Sequence, residues 1–365
     1  MTESRLVFGC MTGTSIDALD AAAVRLEGRG LGVRARVVAC AAAPLGALAP
    51  RLRSLASGEA MTAGEAAGLA RDLGVAHADA LLGLAGAAGR PDFVAVHGQT
   101  VFHSPPLSWQ MLNPWPIARS LGCPVVHDLR GADLAAGGQG APITPLADWV
   151  FFRAGETRAV VNLGGFCNVT ILPGGAEPGA VLGMDVCACN HVLDAVARTA
   201  LGRPYDNDGE AALRGSADSA AVRSLRDVLG AQRIGGRSLG TGDEIAGWVS
   251  AWKNRLAAED LAASAALGVG EVIGGAVAEH RAALVLVAGG GARNGALVSA
   301  LRRAAGAPLR PTDSEGVPVT HREAAQIAVL GALCADGVAI TLPKVTGVPA
   351  PAPISGAWIN TRPTQ

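Results

Sequence analysis

The residues with the greatest chemical potential form a short polar segment near the N-terminus. Residues 9–20 read GCMTGTSIDALD and combine two glycines, three hydroxyl side chains and two carboxylates. Glycine permits tight turning, and successive backbone N–H and hydroxyl donors can surround a phosphate. Asp17 and Asp20 would then lie near a cation or a sugar hydroxyl. The alternative is a polar hairpin turn whose Asp and Ser side chains bond to their own backbone.

A second glycine-rich segment occurs near residue 290. Residues 287–294 read VAGGGARN, which predicts a strand end, three glycines and the start of a helix. Such a turn lets a flat ring and a phosphate approach the backbone at the helix N-terminus. Its spacing is not the Gly-x-Gly-x-x-Gly dinucleotide pattern, and a tight structural turn has the same composition. From the residues alone, a nucleotide site here is a hypothesis.

Asp185 is the candidate proton acceptor. It follows a predicted short strand at residues 181–184 and precedes a predicted helix from about residue 190 to residue 201. A carboxylate there could accept a proton from an attacking oxygen, or it could stabilise the first turn of the helix. The neighbouring Cys187 and Cys189 lack a second cysteine pair, and their one-residue spacing is not the usual zinc pattern. We therefore predict that both are small residues at a close-packed turn.

A further group of polar residues follows a predicted strand at residues 93–96. His97, Gln99 and Thr100 offer mixed hydrogen-bond donors and acceptors, which suit a carbohydrate with several hydroxyls. Arg130 could bind a carboxylate through two parallel hydrogen bonds. Taken singly, each of these residues is better explained as a structural histidine or a partner in a surface salt bridge.

The elements that must position these residues follow the same plan in both halves of the chain. The first half begins with predicted strands at residues 5–10, 19–26 and 33–41, and Thr62 and Glu65 have the capping-box spacing of a helix start. The second half begins with a predicted β-hairpin around Gly164-Gly165. Each half then continues into mixed strands and helices, which predicts a duplicated α/β plan with a cleft between lobes.

The length of the chain predicts more than one domain. With 365 residues, it exceeds what a single hydrophobic core usually supports. Residues 131–145 (GADLAAGGQGAPITP) have the composition of a flexible connection. We therefore expect an N-terminal lobe at residues 1–140, a C-terminal lobe at residues 141–345 and a tail at residues 346–365.

Composition excludes several classes of protein. A net charge of −1 argues against binding to nucleic acid or to an anionic membrane. We recognise no uninterrupted apolar run that approaches the roughly 20 residues of a membrane span. Seven scattered cysteines make no disulfide framework, and the N-terminus lacks a basic start followed by an apolar stretch. Neither lysine follows a glycine-rich loop, which excludes a Walker-type phosphate loop. We expect a cytoplasmic protein.

Taken together and in order, several segments resemble the anhydro-N-acetylmuramic acid kinases, which belong to the superfamily of sugar kinases, actin and heat-shock chaperone ATPases. The resemblance implies an α/β, two-lobed actin-like ATPase fold of ribonuclease H-like duplicated domains with a central cleft. The matching segments are GCMTGTSIDALDAA (9–22), HGQTVFH (97–103), DLRGADLAAGGQGAPITP (128–145), NLGGFCNVT (162–170), YDNDG (205–209), GGGARN (289–294) and REAAQIAVLGAL (322–333).

The resemblance assigns roles to individual residues. Asp185 matches the catalytic carboxylate, and Glu323 matches an acidic position near the metal and phosphates. His97, Gln99, Thr100 and Arg130 fall in the segments that line the sugar pocket. The positions that match the ATP-binding segments are Gly13, Thr14, Ser15, Ile16, Asp17, Ala18, Leu19 and Asp20 in the first phosphate loop, Asn162, Gly164 and Gly165 in the second, and Gly289, Gly290, Gly291 and Asn294 at the adenosine.

The implied reaction uses ATP and Mg²⁺ and couples two steps on a 1,6-anhydro sugar. Asp185 would activate a water that opens the anhydro bridge, and the released O6 would take the γ-phosphoryl group of ATP. The product would be N-acetylmuramic acid 6-phosphate, made during cell-wall sugar recycling, and the resemblance also allows a homodimer.

The sequence departs from the family beside the catalytic aspartate. The usual Thr-Gly-Pro-Gly-Asn is replaced by residues 186–190 (VCACN), and the usual Gln-Ile-Gly-Asp-Pro by residues 110–114 (QMLNP). Two alternatives therefore stay open. One is a kinase for levoglucosan, which Arg130 disfavours because that sugar has no carboxylate. The other is a nucleotide-binding protein without catalysis.

Overall fold

The computed structural model describes residues 4–13, 16–234 and 243–361. The strands in these residues are β1 (Ser4–Thr12), β2 (Ala18–Glu27), β3 (Arg34–Pro44), β4 (Phe93–His97), β5 (Gln99–Ser104), β6 (Leu107–Met111), β7 (Val125–His127), β8 (Arg158–Leu163), β9 (Phe166–Leu172), β10 (Leu182–Ala188), β11 (Leu284–Ala288), β12 (Leu309–Pro311) and β13 (Ala357–Ile359). The α-helices are α1 (Leu48–Ala56), α2 (Ala63–Ala88), α3 (Trp115–Leu121), α4 (Gly131–Ala135), α5 (Pro145–Phe152), α6 (Asn190–Val196), α7 (Glu210–Arg214), α8 (Ser219–Ile234), α9 (Asp243–Trp252), α10 (Ala258–Ala278), α11 (Gly295–Ala305), α12 (Arg322–Ala335) and α13 (Pro343–Thr346).

The chain forms two compact units. Unit 1 contains Met1–Arg153, Glu177–Val181 and Glu315–Gln365, and unit 2 contains Ala154–Ala176 and Leu182–Ser314. The chain therefore enters unit 2 after residue 153 and not near the expected boundary at residue 140. Residues 315–345 were expected in the C-terminal lobe but belong to unit 1. Unit 2 is, in sequence, an insertion into unit 1.

Unit 1 is built on a six-stranded sheet of order β13-β7-β4-β1-β2-β3. β1, β2 and β3 are antiparallel neighbours, whereas β4 pairs parallel to β1 and β7 parallel to β4. A separate hairpin of β5 and β6 follows β4 directly. One face of the large sheet buries a core that includes Phe8 and Leu19 against Leu69 and Leu73 of α2.

Helix α12 packs against strands β1, β2 and β4 of the same sheet. A Cβ on Gly9 would overlap the carbonyl oxygen of Ala324, and one on Gly331 would overlap the side chain of Ala95. Gly9 lies inside β1 and its absent side chain lets the helix approach the strand. Its expected role as a turn residue is therefore wrong.

Unit 2 repeats the central topology of unit 1. Its five-stranded sheet has the order β10-β9-β8-β11-β12, in which β8, β9 and β10 are antiparallel and β11 and β12 run parallel to β8. This order corresponds strand for strand to β3-β2-β1-β4-β7 of unit 1. The predicted duplicated α/β fold of the actin-like class is confirmed.

The core of unit 2 lies on one face of this sheet, where α6, α8, α10 and α11 contribute apolar side chains. Among the described residues, α10 alone is long and apolar enough to cross a membrane, and 72% of its most apolar stretch is buried inside the protein. Its apolar composition was missed in the sequence. The burial identifies α10 as a core helix.

Residues 131–145 do not form the expected flexible connection. They contain α4 and the start of α5, and the fully buried Asp133 lies among them. Its carboxylate accepts hydrogen bonds from the Gly140 backbone at 2.7 Å and from the Thr346 hydroxyl at 2.8 Å. The glycines that suggested flexibility include Gly138, where a Cβ would overlap this carboxylate. The expectation is wrong because glycine here serves close packing.

Candidate active site

In unit 1, the predicted first phosphate loop lies between β1 and β2. Thr14 and Ser15 fall outside the described residues. The Ile16 backbone donates a hydrogen bond to the Gly13 carbonyl at 3.2 Å, and the Ala18 backbone donates to the Asp17 carboxylate at 3.0 Å. The predicted hairpin turn is therefore present, and one of its carboxylates bonds to the local backbone.

The turn holds Ile16 in a left-handed backbone conformation with φ of 51°. A β-branched residue rarely adopts this region, so the surrounding contacts must stabilise it. The Ile16 side chain is buried in the unit 1 core, and its carbonyl accepts a hydrogen bond from Arg53 of α1 at 2.7 Å. Strain of this kind clusters at ligand sites.

Asp20 lies opposite Met11 in the antiparallel pair of β1 and β2 and faces the start of α12. The His321 ring nitrogen Nε2 is 3.9 Å from its carboxylate. Burial raises the pKa of Asp20; His321 opposes the shift, while Glu323 and Asp17 add to it. The predicted metal residue Glu323 thus lies close enough to Asp20 for the two carboxylates to interact.

These carboxylates suit a magnesium–nucleotide complex better than a free ion. No group of three or more His, Cys, Asp or Glu among the described residues is arranged to hold a metal by itself. Magnesium in phosphoryl-transfer enzymes is usually bound through one or two carboxylates together with substrate phosphates. Asp20 and Glu323 fit that donor set.

The candidate sugar residues His97 and Gln99 are buried at the junction of β4 and β5. His97 is 5% exposed and Gln99 is 1% exposed. Both ring nitrogens of His97 and the Gln99 oxygen Oε1 have no hydrogen-bond partner in the described part of the chain. Buried polar groups are nearly always hydrogen-bonded. A polar ligand that supplies the missing bonds is therefore expected beside them.

Arg130 lies close to the candidate sugar residues. Burial, followed by Arg130 and His103, lowers the pKa of His97 well below its usual range. Burial and Arg130 also lower the pKa of His103. Both imidazoles are neutral at pH 7 and can donate and accept hydrogen bonds beside a guanidinium, which suits an acidic sugar.

Thr100 belongs to a polar network on the β5–β6 hairpin. Gln110 donates hydrogen bonds to the Thr100 hydroxyl at 3.4 Å and to the Ser108 hydroxyl at 2.7 Å. The His103 ring nitrogen Nδ1 lies 2.9 Å from the same Ser108 hydroxyl. This hairpin was missed in the sequence, although its alternating polar residues carried the signal.

In unit 2, the predicted second phosphate segment is the turn between β8 and β9. The backbone N–H of Asn190 donates to the Gly164 carbonyl at 3.0 Å, and that of Cys189 donates to the Gly165 carbonyl at 2.8 Å. A Cβ on Gly165 would lie 2.5 Å from the His191 ring. The turn is therefore held against the start of α6, and glycine is needed for that approach.

The predicted adenosine segment adjoins this turn because β11 pairs parallel to β8 with Ala288 opposite Asn162. Gly289 has a φ of 83°, and a Cβ there would lie 2.8 Å from the Leu163 carbonyl. A Cβ on Gly291 would lie 2.8 Å from the Asn190 side chain, and Gly290 is exposed. The two glycine turns thus meet at the same end of the sheet.

Asn294 has a structural partner. It is the N-cap of α11, where its side-chain oxygen accepts a hydrogen bond from the Leu297 backbone at 3.0 Å. This cap satisfies one of the free backbone donors of the helix start. Any contact with a nucleotide would therefore use its other side-chain atom, the amide nitrogen.

Asp185 is exposed and lies within β10, not after it. It pairs with Asn168 of β9, and the register shifts immediately afterwards, so that Cys187 pairs with Cys167. The extra residue makes a β-bulge, a feature that re-aims side chains beside active sites. The expected strand end at residue 184 is wrong because β10 continues to Ala188. The alternative role of Asp185 at a helix start is also wrong, because α6 begins only at Asn190.

Cys187 and Cys189 are fully buried in the unit 2 core, as predicted for close-packed residues. Burial raises the pKa of Cys187 to about 12. A protonated, inaccessible thiol is a poor nucleophile and a poor metal ligand. The residues that replace the usual glycines thus serve as packing.

Two residues beside these segments were not found in the sequence. Arg53 supports the first turn from α1, and no local motif marks it. Asn168 lies in the same register row as both Asn162 and Asp185. The alternation of apolar and polar residues at 167–170 carried the signal for Asn168.

The duplicated sheets place the protein in the actin-like class, which contains ATPases and sugar kinases. The sequence profile of the family described as "Anhydro-N-acetylmuramic acid kinase" matches residues 5–359. The chain belongs to this family.

The chain is also similar to the following relatives and solved structure. A protein from Salinibacter ruber named anhydro-N-acetylmuramic acid kinase is 35% identical and aligns over 96% of this chain and 95% of its own. One of that name from Bordetella pertussis is 37% identical over 94% and 93%. Component A of (R)-2-hydroxyglutaryl-CoA dehydratase from Acidaminococcus fermentans is 15% identical, with a TM-score of 0.48 over 91% of this chain and 99% of its own.

Proposed function

We propose that the protein opens 1,6-anhydro-N-acetylmuramic acid with water and phosphorylates O6 from ATP to give N-acetylmuramic acid 6-phosphate. The observation that carries the proposal is the placement of Asp185. An exposed carboxylate stands at a β-bulge, in the same row of the sheet as Asn162 of the second phosphate segment. A proton acceptor and a phosphate-binding turn are what the coupled reaction requires of unit 2.

Asp185 acts as the general base in this proposal. Its carboxylate takes a proton from a water molecule as that water attacks the anomeric carbon. The bond from the anomeric carbon to the bridging oxygen breaks, and that oxygen becomes the free O6. O6 then attacks the γ-phosphorus, and ADP leaves.

Phosphate binding is assigned to the glycine turns of both units. The turn at Gly164-Gly165 would offer backbone N–H groups, which stabilise phosphate charge without covalent chemistry. The segment that contains Gly13 and Asp17 receives the same role from the family resemblance. Asp20 and Glu323 would hold Mg²⁺, which neutralises charge on the phosphates when bound. The adenosine is assigned to the turn at Gly289–Gly291, where Gly290 is exposed and carries no side chain that would block a flat ring. Gly289 and Gly291 allow this turn to pack against Leu163 and Asn190.

Sugar recognition is assigned to the buried polar residues of unit 1. His97 and Gln99 would bond to ring hydroxyls or the acetamido group, since their polar atoms lack partners in the described residues. Arg130 would bind the lactyl carboxylate. That last contact separates this sugar from levoglucosan, which has no carboxylate.

Location and assembly complete the proposal. All seven cysteines are free thiols and six are buried, which fits a reducing cytoplasm. A homodimer follows from the family resemblance, and light scattering on the purified protein tests it.

The decisive experiment measures ADP release and sugar phosphate with Mg-ATP. Wild-type protein and Asp185→Asn are compared on 1,6-anhydro-N-acetylmuramic acid and on levoglucosan. Asp227→Asn, the same change at an exposed position of α8, is the matched control. We expect turnover on the muramic sugar in wild type and control, and a loss of about 100-fold or more in Asp185→Asn, since a positioned base contributes that much.

Two results would contradict the proposal. Faster turnover on levoglucosan would assign the other sugar, and ATP binding without turnover on either sugar would indicate a non-catalytic protein.

A further inference from the structure

Asn168 stands between the two polar residues of unit 2 to which roles have been assigned. It pairs with Asn162 of β8 on one side and with Asp185 of β10 on the other. Residues directly opposite in antiparallel strands have Cβ atoms about 4.5–5.5 Å apart and point to the same face. The three side chains therefore form one row across three strands.

This row lies on the face of the sheet opposite the unit 2 core. The neighbouring Cys167 and Val169 of β9 point into that core, so Asn168 points away from it. Asn168 is half-buried and Asp185 is exposed. The bulge after Asp185 ends the regular pairing, which leaves Asn168 as its last partner on β9 before the register shift.

The strand pairing brings the Asn168 carboxamide within reach of the Asp185 carboxylate. Phe166 and Thr170, the alternate residues of β9, are uncharged. Phe166 also packs against the unit 2 core and against the ring of His191, a titratable group whose pKa is lowered by burial. Helices α8 and α10 pack against β10 and contribute apolar residues such as Leu225 and Leu261 to the opposite, core face. Burial, followed by Cys189, Cys187 and Asp185, raises the pKa of the Cys167 thiol in that core.

An asparagine in this position can do what a charged or apolar residue cannot. Its amide group supplies two N–H donors, and an ionised carboxylate only accepts. A neutral donor fixes the orientation of the carboxylate and favours its ionised form. A second carboxylate there would instead compete for the same proton.

We infer that Asn168 is a positioning residue that holds the Asp185 carboxylate, through its side-chain amide, in the orientation needed to accept a proton from water. This inference rests on the proposed function. It assigns Asn168 a role in the chemical step and not in nucleotide affinity.

The test combines kinetics with a measurement that needs no turnover. Asn168→Ala and Asn168→Asp are compared with wild type and with Thr170→Val, an uncharged change on the same strand and face. The kcat and both KM values are measured from pH 5 to pH 9. The pKa of Asp185 is measured by ¹³C NMR of the carboxyl groups, with its signal assigned from Asp185→Asn.

We expect Asn168→Ala to lower kcat about 10- to 100-fold while both KM values stay within about twofold, because a misplaced base slows chemistry more than binding. Asn168→Asp should move the acid limb of the kcat profile upward by about one pH unit or more. In both variants the NMR titration of Asp185 should shift upward, and Thr170→Val should leave it in place.

The inference is overturned if the Asp185 titration is the same in wild type and Asn168→Ala. It is also overturned if Asn168→Ala raises KM for Mg-ATP and leaves kcat unchanged, since Asn168 would then contact the nucleotide. Absence of turnover in the wild type would overturn the proposed function instead, and the NMR titration would still decide the role of Asn168.

Discussion

The two units place different side chains at the same point of the same sheet. Asp20 is the third residue of β2, and Asn168 is the third residue of β9. Each pairs with the penultimate residue of the preceding strand, and each follows a residue that points into the core of its unit. Unit 1 therefore has a carboxylate where unit 2 has a neutral amide.

The difference shows how a duplicated framework separates two kinds of chemistry. In unit 1, Asp20 interacts with Asp17 and Glu323, so negative charge accumulates where a cation and phosphates would bind. In unit 2, Asp185 is the single carboxylate in the row that it forms with Asn168, Asn162 and Ala288. Unit 1 thus brings carboxylates together, whereas unit 2 pairs the proposed base with neutral side chains in its row.

The start of α12 brings His321 and Glu323 close to Asp20, so the accumulation of charge in unit 1 depends on the position of this helix. A buried network fixes this helix, because Arg322 and Gln326 both donate to the Asp148 carboxylate at 2.5 Å. Asp148→Ala leaves a buried guanidinium facing no carboxylate, which costs about 3–5 kcal/mol. We expect urea unfolding to show a loss of that size.

Replacing both partners is the control for this prediction. Asp148→Leu combined with Arg322→Met removes the buried charges together, so it should be far less damaging than Asp148→Ala. If Asp148→Ala costs less than about 1 kcal/mol, the network does not hold α12 and the account of unit 1 fails.

Acid should weaken unit 1 before unit 2. Burial lowers the pKa of His77 in α2 to about 4, against 6.5 in the unfolded chain. A lowered folded pKa gives stability that is complete above pH 6.5 and is lost as the pH falls toward 4, because only the unfolded chain takes up the proton. The loss is at most about 3 kcal/mol.

Hydrogen exchange read by mass spectrometry at pH 7 and pH 5 measures this effect unit by unit. Peptides of α2 should lose protection at pH 5, and peptides of α10 in unit 2 should keep it. His77→Leu should reduce the difference, and the part that remains should come from His97, which is also buried in unit 1 with a lowered pKa. Equal loss of protection in both units would show that acid does not weaken unit 1 before unit 2.

The smallest expected effect comes from a change at Asp20, the position where unit 2 has Asn168. Asp20→Asn gives unit 1 the same type of side chain as unit 2. It removes one proposed ligand of the magnesium–nucleotide complex, so we expect the Mg²⁺ concentration for half-maximal activity to rise about tenfold. An unchanged Mg²⁺ dependence, with Asp227→Asn as the matched control, would show that the carboxylate serves another purpose.

Much of the framework was predictable because local signals were strong. The hairpin of β8 and β9 was predicted around Gly164-Gly165, since β-branched residues flank these two glycines. The start of α2 followed from its capping box, in which Thr62 and Glu65 bond to each other as predicted. The two-lobed actin-like fold was predicted from the family resemblance.

What could not be predicted depends on contacts between distant residues. The continuation of β10 past Asp185 requires pairing with β9, which no periodicity in residues 182–188 shows. The network of Asp148 with Arg322 joins residues 174 positions apart. The packing role of the glycines in residues 131–145 depends on the buried carboxylate of Asp133.

The insertion of unit 2 within unit 1 has a consequence during synthesis. Residues 154–314 leave the ribosome before α12, so unit 2 can complete its sheet while unit 1 still lacks the helix that packs on β1. The ion pair of Arg5 with Asp336, at 2.7 Å, forms only once nearly the whole chain has been made. The first strand to emerge thus belongs to the last unit to finish folding, and its apolar residues must stay free of aggregation in the interval.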